Sequence, residues 1–285
     1  MCSESKSVFD NILKTCRLIR IVKRFNSTKI DHNEPDFSLK SLQAKFKQLD
    51  MPKYYDSLIL KNPAISKLKR ASVLVPISIR ENLNENGTLT RQTIYTLTKR
   101  TDKMKSFKGD VCFIGGKRDQ SDSDDSETAL REAKEEANID SNQLTILAQL
   151  CPIITFNQTL VTPIVAFFDK RNFNPVLCAD EVEMIFEMPT ERFLNKANHK
   201  MSSIKNENGE YFMHYFKDNI NGKSVTTWGF TAFLCAAISS CIHGKSPDFE
   251  LDLNFKDKPN EQNLNEYFEK FLSNKLSVSQ AAFKK

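Results

Sequence analysis

The chain has 285 residues, a hydrophobic content of 40% and a formal net charge of +5 at pH 7. This composition allows one large domain with or without an extension, and the charge suits an anionic ligand but is too small to indicate nucleic acid. Seven cysteines without C-x-x-C spacing indicate reduced thiols in an intracellular compartment, and they argue against a disulfide framework or a zinc site.

Residues 1–70 are predicted to form a helical N-terminal extension. The segment Met1–Asn26 contains six bases and two acids, with aliphatic residues interleaved. Such a segment is typical of a mitochondrial transit sequence, but it equally suits a surface helix or a helix that lies on a membrane. Apolar residues recur near helical spacing in Phe37–Leu49, so a second helix is expected there. No stretch approaches the length of a transmembrane helix.

A single folded domain, large enough to be an enzyme, is expected over residues 71–245. A C-terminal extension is expected over residues 246–285. Helices are predicted at 125–137 and at the apolar stretch 231–242. Their order along the chain, between strands, favours a mixed sheet with helices on both faces. The strands are predicted from β-branched and alternating runs at residues 71–79, 93–98, 144–153, 161–168, 182–188 and 211–216.

The segment Gly115–Ile139 contains the strongest functional signal. A double glycine follows a short apolar run, and an acidic loop leads into a helix that carries Glu132, Glu135 and Glu136. At spacings of i, i+3 and i+4 these side chains share one helix face, where like charges repel one another. A hard divalent cation such as Mg²⁺ or Mn²⁺ supplies the counter-charge. A solvated surface helix with local ion pairs is the alternative, and the glycines favour the metal site.

The same segment resembles the Nudix box, whose pattern is G-x5-E-x7-R-E-U-x-E-E-x-G-U with U aliphatic. Gly116 takes the first glycine, and Ala133 and Ile139 take aliphatic positions. The loop acid is Asp122 instead of glutamate, and it lies one residue farther from the arginine than in the pattern. Asn138 replaces the late glycine, and asparagine tolerates the left-handed conformation common at helix ends. The catalytic core of the pattern is filled by Arg131, Glu132, Glu135 and Glu136.

The flanking residues resemble the coenzyme A diphosphatase branch of Nudix enzymes. Residues 97–119 follow its extra signature, L-T-x-R-S-x-x-L-R-x-H-x-G-x-V-x-F-P-G-G-x-x-D, and residues 227–232 resemble its W-G-L-T-A helix start. Three positions depart from the signature. Lys105 stands where the branch has arginine, Phe107 where it has histidine, and Ile114 where it has proline. The resemblance extends from about Ala71 to His243.

This resemblance implies an α+β fold, a Nudix-type α/β/α sandwich with a mixed sheet. It also implies metal-dependent hydrolysis of coenzyme A or acyl-coenzyme A to 3′,5′-ADP and 4′-phosphopantetheine or its acyl form. Mg²⁺ or Mn²⁺ is expected on Glu132, Glu135 and Glu136, and catalytic roles are expected for Glu135, Arg131 and Glu136. Substrate binding is expected at Arg100, Lys105, Gly115, Gly116 and Lys117.

Other functions remain open at this stage. One alternative is a Nudix hydrolase of another nucleoside diphosphate derivative, such as NADH or a nucleotide sugar, and another is a non-catalytic nucleotide-binding module. The expected partner is a small-molecule diphosphate and not a nucleic acid. The resemblance indicates a peroxisome, the basic N-terminus indicates a mitochondrion, and the cytoplasm stays open.

Overall fold

A computed structural model describes residues 36–47, 49–50, 68–83, 86–87, 89–104, 107–150, 152–155, 159–206 and 209–251. Within these ranges the helices are α1 (Leu39–Lys47), α2 (Asp125–Ala137) and α3 (Gly229–His243). The strands are β1 (Lys69–Leu83), β2 (Leu89–Arg100), β3 (Val111–Cys112), β4 (Gly115–Lys117), β5 (Leu144–Gln149), β6 (Ile153–Ile154), β7 (Thr159–Phe168), β8 (Val182–Pro189), β9 (His199–Asn206), β10 (Gly209–Ile220) and β11 (Lys223–Trp228).

The main sheet is mixed, as the sequence predicts. Its central order is β3–β2–β1–β7–β5, with β4 paired to β1, β6 to β7 and β8 to β2. Strands β1 and β7 run parallel, whereas the other pairs in this sheet are antiparallel. The remaining strands form a separate antiparallel sheet in the order β11–β10–β9, which we call the small sheet.

Helices cover both faces of the main sheet. Alternate residues of a strand point to opposite faces, so neighbouring residues of β1 and β7 enter different cores. Leu74 and Ile164 pack under α2, whereas Val75 and Val165 pack on the side of α1 and α3. The α/β/α sandwich expected from the sequence is therefore confirmed.

Helix α2 has the bounds that the sequence predicts, and local residues explain both ends. The side chain of Asp124 accepts a hydrogen bond from the backbone N–H of Glu127 at 2.8 Å, which caps the first turn. Asn138 ends the helix with φ 55° and ψ 38°, the left-handed conformation expected of the residue at the late glycine position. The loop before α2 and the turn after it are thus held in place without a glycine at either cap.

The small sheet was only partly predicted. A strand was expected at residues 211–216, but β9 and β11 were not expected, and β10 extends from Gly209 to Ile220. The run expected as one strand at residues 144–153 is divided into β5 and β6. The small sheet matters for function because β11 lies against β3, next to the glycine turn.

The residues before position 71 contribute to the same core as the domain. The predicted helix in Phe37–Leu49 is present as α1, and its Leu42 and Phe46 are completely buried in the cluster that includes α3. The division into residues 1–70, 71–245 and 246–285 stays a prediction, since residues 1–35 and 252–285 lie outside the described part of the chain. None of the helices in the described ranges combines the length and apolarity needed to span a bilayer.

Candidate active site

Small side chains let α2 approach the sheet closely. Ala129, Ala133 and Ala137 lie one turn apart along the helix and are completely buried against the main sheet. Glu136 adjoins this alanine stripe and is only 2% exposed, although glutamate is rarely so buried without a partner. The packing of the helix therefore places one carboxylate of the acidic face in the protein interior.

The double glycine makes room for the protein's own groups. A Cβ atom on Gly116 would lie 2.2 Å from Oε1 of Glu132, and one on Gly115 would lie 2.2 Å from the backbone oxygen of Ser72. Burial raises the pKa of Glu136, and the backbone N–H of Gly115 opposes that shift slightly. Residues 115 and 116 thus hold strand β4 against β1 while two carboxylates of α2 approach it.

Arg131 is the hub that orients the acidic groups. Its guanidinium forms a bidentate pair with Asp122, with both N···O distances 3.0 Å. It also donates to Glu132 at 3.0 Å, to Glu135 at 3.1 Å and to the backbone oxygen of Lys117 at 3.0 Å. Arg131 therefore pairs with three carboxylates at once. A planar guanidinium with five fixed donors is suited to this task, and lysine is not.

Asp122 holds Arg131 in turn. It is 6% exposed and accepts additional hydrogen bonds from the Thr128 hydroxyl at 2.9 Å and the Asp119 backbone N–H at 2.8 Å. The hydrogen bonds from Arg131 hold the pKa of Asp122 well below its ordinary value. The sequence marked this acid only as a departure from the family pattern, and the structure shows that the shifted aspartate still reaches the arginine.

Glu136 is the most perturbed carboxylate of the site. Its Oε1 atom is buried without a hydrogen-bond partner within the described part of the chain, and the nearest cation is Nη1 of Arg100 at 4.0 Å. Burial raises the pKa of Glu136 to about 8; Arg100 opposes this shift, and the charges of Glu132 and Glu181 add to it. The environment of Glu136 therefore disfavours the negatively charged carboxylate unless a further cation is present.

The pKa of Glu132 is raised by effects similar to those that act on Glu136. Burial raises its pKa, the charge of Arg131 lowers it, and the charges of Glu135 and Glu181 raise it. Glu135 differs from its neighbours because its side chain is 57% exposed and is turned to Arg131. No group of three or more His, Cys, Asp or Glu side chains within the described ranges is arranged as a ready-made metal site.

A loop acid approaches the carboxylates from outside the helix. Three acids, Asp180, Glu181 and Glu183, lie before and in β8, and Glu181 is the one whose charge acts on both Glu132 and Glu136. Its backbone is held by hydrogen bonds from its N–H to Cys178 O and from Thr101 N–H to its oxygen. The other two acids form exposed ion pairs elsewhere: Asp180 with Lys103, and Glu183 with Lys99 and Lys223.

The predicted substrate-binding residues are placed unequally. Arg100 ends β2 with its guanidinium beside Glu136, so the structure brings it to the carboxylates. Lys117 is exposed at the end of β4, and its backbone oxygen accepts a hydrogen bond from Arg131 at 3.0 Å. Lys105 lies outside the described residues.

The chain is similar to a known protein family and to several of its members. Residues 83–207 match the family model described as the NUDIX domain, and the match contains the whole segment Gly115–Ile139. The mouse protein named peroxisomal coenzyme A diphosphatase NUDT7 is 37% identical over 188 residues, which are 65% of this chain and 75% of that protein.

Two other relatives are more distant. Nudix hydrolase 15, mitochondrial, of Arabidopsis thaliana is 32% identical over 190 residues, which are 66% of this chain and 64% of that protein. The Caenorhabditis elegans protein named peroxisomal coenzyme A diphosphatase ndx-8 is 32% identical over 157 residues, which are 54% of this chain and 64% of that protein.

Proposed function

This chain belongs to the Nudix family of hydrolases, and we propose on that premise that it cleaves the diphosphate bond of coenzyme A or acyl-coenzyme A. The products are 3′,5′-ADP and 4′-phosphopantetheine or its acyl form. The mouse and C. elegans relatives are both named coenzyme A diphosphatases, which supports this substrate. The observation that carries the proposal is the buried carboxylate of Glu136. Its Oε1 atom has no hydrogen-bond partner among the described residues, and the negative charge of Glu132 acts on it.

The carboxylates fit a hard divalent cation. The Oε1 atom of Glu136 is an acceptor without a hydrogen-bond partner among the described residues. Burial and neighbouring acids disfavour the negative charge of this carboxylate, and a bound cation would stabilise it. Glu132 and Glu136, with Glu135 on the same helix, are the proposed ligands for Mg²⁺ or Mn²⁺. A bound cation of this kind neutralises diphosphate oxygens and activates water for attack on phosphorus.

Arg131 and Glu135 have different tasks in this scheme. Arg131 fixes the direction of the Glu132 carboxylate through its own anchor on Asp122, so it positions a ligand for the reaction. Glu135 is the most exposed of the three helix carboxylates and is the one that solvent reaches most freely. We assign it the role of accepting the proton of the attacking water.

The substrate's phosphates are proposed to bind on the β2 and β4 side of the carboxylates. Arg100 presents a guanidinium there, and Lys117 adds an exposed cation at the end of β4. Gly115 and Gly116 keep the backbone free of side chains at this point, since any Cβ would clash. Lys105 is kept as a phosphate-binding residue on the family resemblance alone.

Glu181 is proposed to complete the acidic cluster. Its charge acts on both Glu132 and Glu136, and its backbone is fixed by two hydrogen bonds. A loop acid held in this way adds a further oxygen ligand or orients a metal ligand without any change in the helix. Glu181→Gln should therefore weaken activation by Mn²⁺, and an unchanged metal concentration for half-maximal activity would remove it from the site.

A panel of diphosphates tests the substrate. We expect kcat/KM in Mg²⁺ or Mn²⁺ to favour coenzyme A or an acyl ester over NADH, ADP-ribose and dephospho-coenzyme A. One charge-assisted contact to the 3′-phosphate contributes about tenfold to a hundredfold. A clear preference for a nucleotide sugar or NADH would contradict the proposal, and Glu136→Gln serves as the inactive control for contaminating enzymes.

The compartment is proposed from the relatives and from the basic N-terminus. The mouse relative is named peroxisomal and the Arabidopsis relative mitochondrial. The segment Met1–Asn26, which suits a mitochondrial transit sequence, lies outside the described residues. Fluorescent fusions of the chain with and without this segment distinguish the two compartments: loss of mitochondrial signal on deletion favours the transit role, and unchanged peroxisomal signal contradicts it.

A further inference from the structure

The chain's only tryptophan lies in an aromatic pair on the small sheet. Trp228 ends β11, and its direct cross-strand partner is Tyr215 of β10. The two rings are nearly parallel, with an interplanar angle of 6° and a centroid separation of 6.2 Å, an offset stack. Both side chains are partly exposed. The pair thus presents flat aromatic surface to solvent.

Packing of the core does not account for this pair. Successive strand residues point to opposite faces of a sheet, and the neighbours Phe216 and Thr227 occupy the buried face of the small sheet. Tyr215 and Trp228 therefore lie on the outer face, where Lys217 and Thr226 are exposed. Met213, at the neighbouring outward position of β10, is buried, so the two rings lie between a packed residue and the solvated Lys217 and Thr226 and offer flat aromatic surface to a ligand.

Hydrogen bonding fixes the indole and connects it to the carboxylates. The Trp228 Nε1–H donates to Oδ1 of Asp110 at 3.1 Å, so the polar edge of the ring is satisfied and its face is left for a ligand. The backbone oxygen of Asp110 accepts a hydrogen bond from the Arg100 N–H at 2.9 Å. Since the Arg100 guanidinium lies 4.0 Å from Glu136, Asp110 and Arg100 connect the aromatic pair to the acidic cluster.

We propose that Trp228 and Tyr215 form the platform on which the purine base of the substrate stacks. This inference rests on the proposed function, because it places the base of a nucleoside diphosphate whose P–O–P group lies at the carboxylates. A planar purine extends this stack on a ring face that the pair leaves uncovered, and base–aromatic stacking is favourable for any base. The flexible pantetheine arm has no flat face to match them, so it is assigned to the remaining surface of the site.

Intrinsic fluorescence of the full wild-type chain tests the stacking directly, because Trp228 is the sole indole. The probe is 3′,5′-ADP, which carries the base and has no diphosphate bond to cleave; excitation is at the red edge, where adenine does not absorb. We expect saturable quenching by 3′,5′-ADP, and no quenching by inorganic phosphate or 4′-phosphopantetheine at equal ionic strength. Equal quenching by 4′-phosphopantetheine, or none by 3′,5′-ADP at concentrations that inhibit turnover, overturns the inference.

Steady-state kinetics of paired variants provide the second test. Trp228→Leu should raise KM by roughly 5- to 150-fold with little change in kcat, since a stacked base contributes equally in ground and transition states. Trp228→Phe keeps an aromatic face and should restore most of the affinity. Phe249→Leu is the matched control, because Phe249, which follows α3, stacks on His199 of β9 with ring centroids 3.9 Å apart and so supports the small sheet away from Trp228. An equal rise in KM for the control would show that the sheet's integrity sets KM, and would overturn the inference.

Different experimental results contradict the stacking inference and the proposed function. A chain that prefers NADH or ADP-ribose contradicts the coenzyme A proposal, and with those substrates a raised KM in Trp228→Leu still supports stacking. Hydrolysis of coenzyme A with an unchanged KM in Trp228→Leu contradicts the stacking and leaves the proposed function in place.

Discussion

The substitution Glu136→Gln is expected to stabilise the metal-free protein at neutral pH. The carboxylate is 2% exposed, its Oε1 lacks a hydrogen-bond partner among the described residues, and Arg100 is 4.0 Å away. Burial raises the pKa of Glu136 to about 8 from an ordinary value of 4.5. Glutamine has nearly the same shape without the charge, so the variant removes a group that the fold tolerates mainly in its protonated form.

The sign and size of the effect follow from the shift in pKa. Because the folded pKa is the higher one, the unfolded chain releases the proton first as the pH rises, and the free energy of unfolding falls between pH 4.5 and about pH 8. At about 1.36 kcal/mol per pKa unit, the whole window corresponds to roughly 5 kcal/mol. Between about pH 5 and about pH 7.5 the wild-type protein should lose about 3 kcal/mol through this group.

Urea unfolding in EDTA at these two pH values measures the effect. The wild-type protein should lose about 3 kcal/mol of unfolding free energy more than Glu136→Gln over the interval. Glu135→Gln is the matched control, since Glu135 lies on the same helix but is 57% exposed, and it should keep the wild-type pH dependence. Equal losses in the wild-type protein and in Glu136→Gln would refute the reasoning, because the carboxylate would then carry no penalty in the folded state.

Three further predictions concern turnover. Glu136→Gln and Glu132→Gln should each lower kcat by roughly a hundredfold or more, and the double variant should lose less than the sum of the singles because the two act as a unit; near-normal kcat at saturating Mg²⁺ would exclude either residue as a ligand. Arg100→Ala should raise KM for coenzyme A about tenfold to a hundredfold, whereas Arg91→Ala, which removes an exposed ion pair at the far end of β2, should leave KM unchanged; equal KM values would contradict the phosphate assignment. Asp122→Asn should lower kcat about tenfold to a hundredfold by weakening the bidentate pair with its arginine partner, and it should change KM little; an unchanged kcat would show that this anchor does not position the site.

Local signals account for what could be predicted. Helix α2 matches its predicted bounds because a capping aspartate, an alanine stripe and a left-handed asparagine all lie within the segment itself. Strands β1, β2, β7 and β8 were predicted because each has a β-branched or alternating apolar pattern. Strand β9 was not predicted, since its sequence HKMSSIKN is mostly polar and its conformation depends on pairing with β10, a contact that local propensity does not encode.

The site itself was predicted in composition but not in arrangement. Helical spacing places three carboxylates on one face, yet the structure buries Glu136 and turns Glu135 to Arg131. That difference arises from how closely α2 packs on the sheet, which depends on residues far apart in the chain. The approach of Glu181 has the same origin, because the Cys178 N–H donates to the backbone oxygen of Glu136 at 3.0 Å and holds the loop against the helix. The position of Trp228 next to Asp110 likewise depends on the contact of β11 with β3.

Mass spectrometry of the products of coenzyme A is the most direct test of the assigned reaction. With Mg²⁺ or Mn²⁺ the wild-type chain should release 3′,5′-ADP and 4′-phosphopantetheine in equal amounts, and the Glu136→Gln variant should release both at a rate lower by roughly a hundredfold or more. Intact coenzyme A after prolonged incubation, or a product that has lost only its 3′-phosphate, would contradict cleavage of the diphosphate bond at the carboxylates of α2.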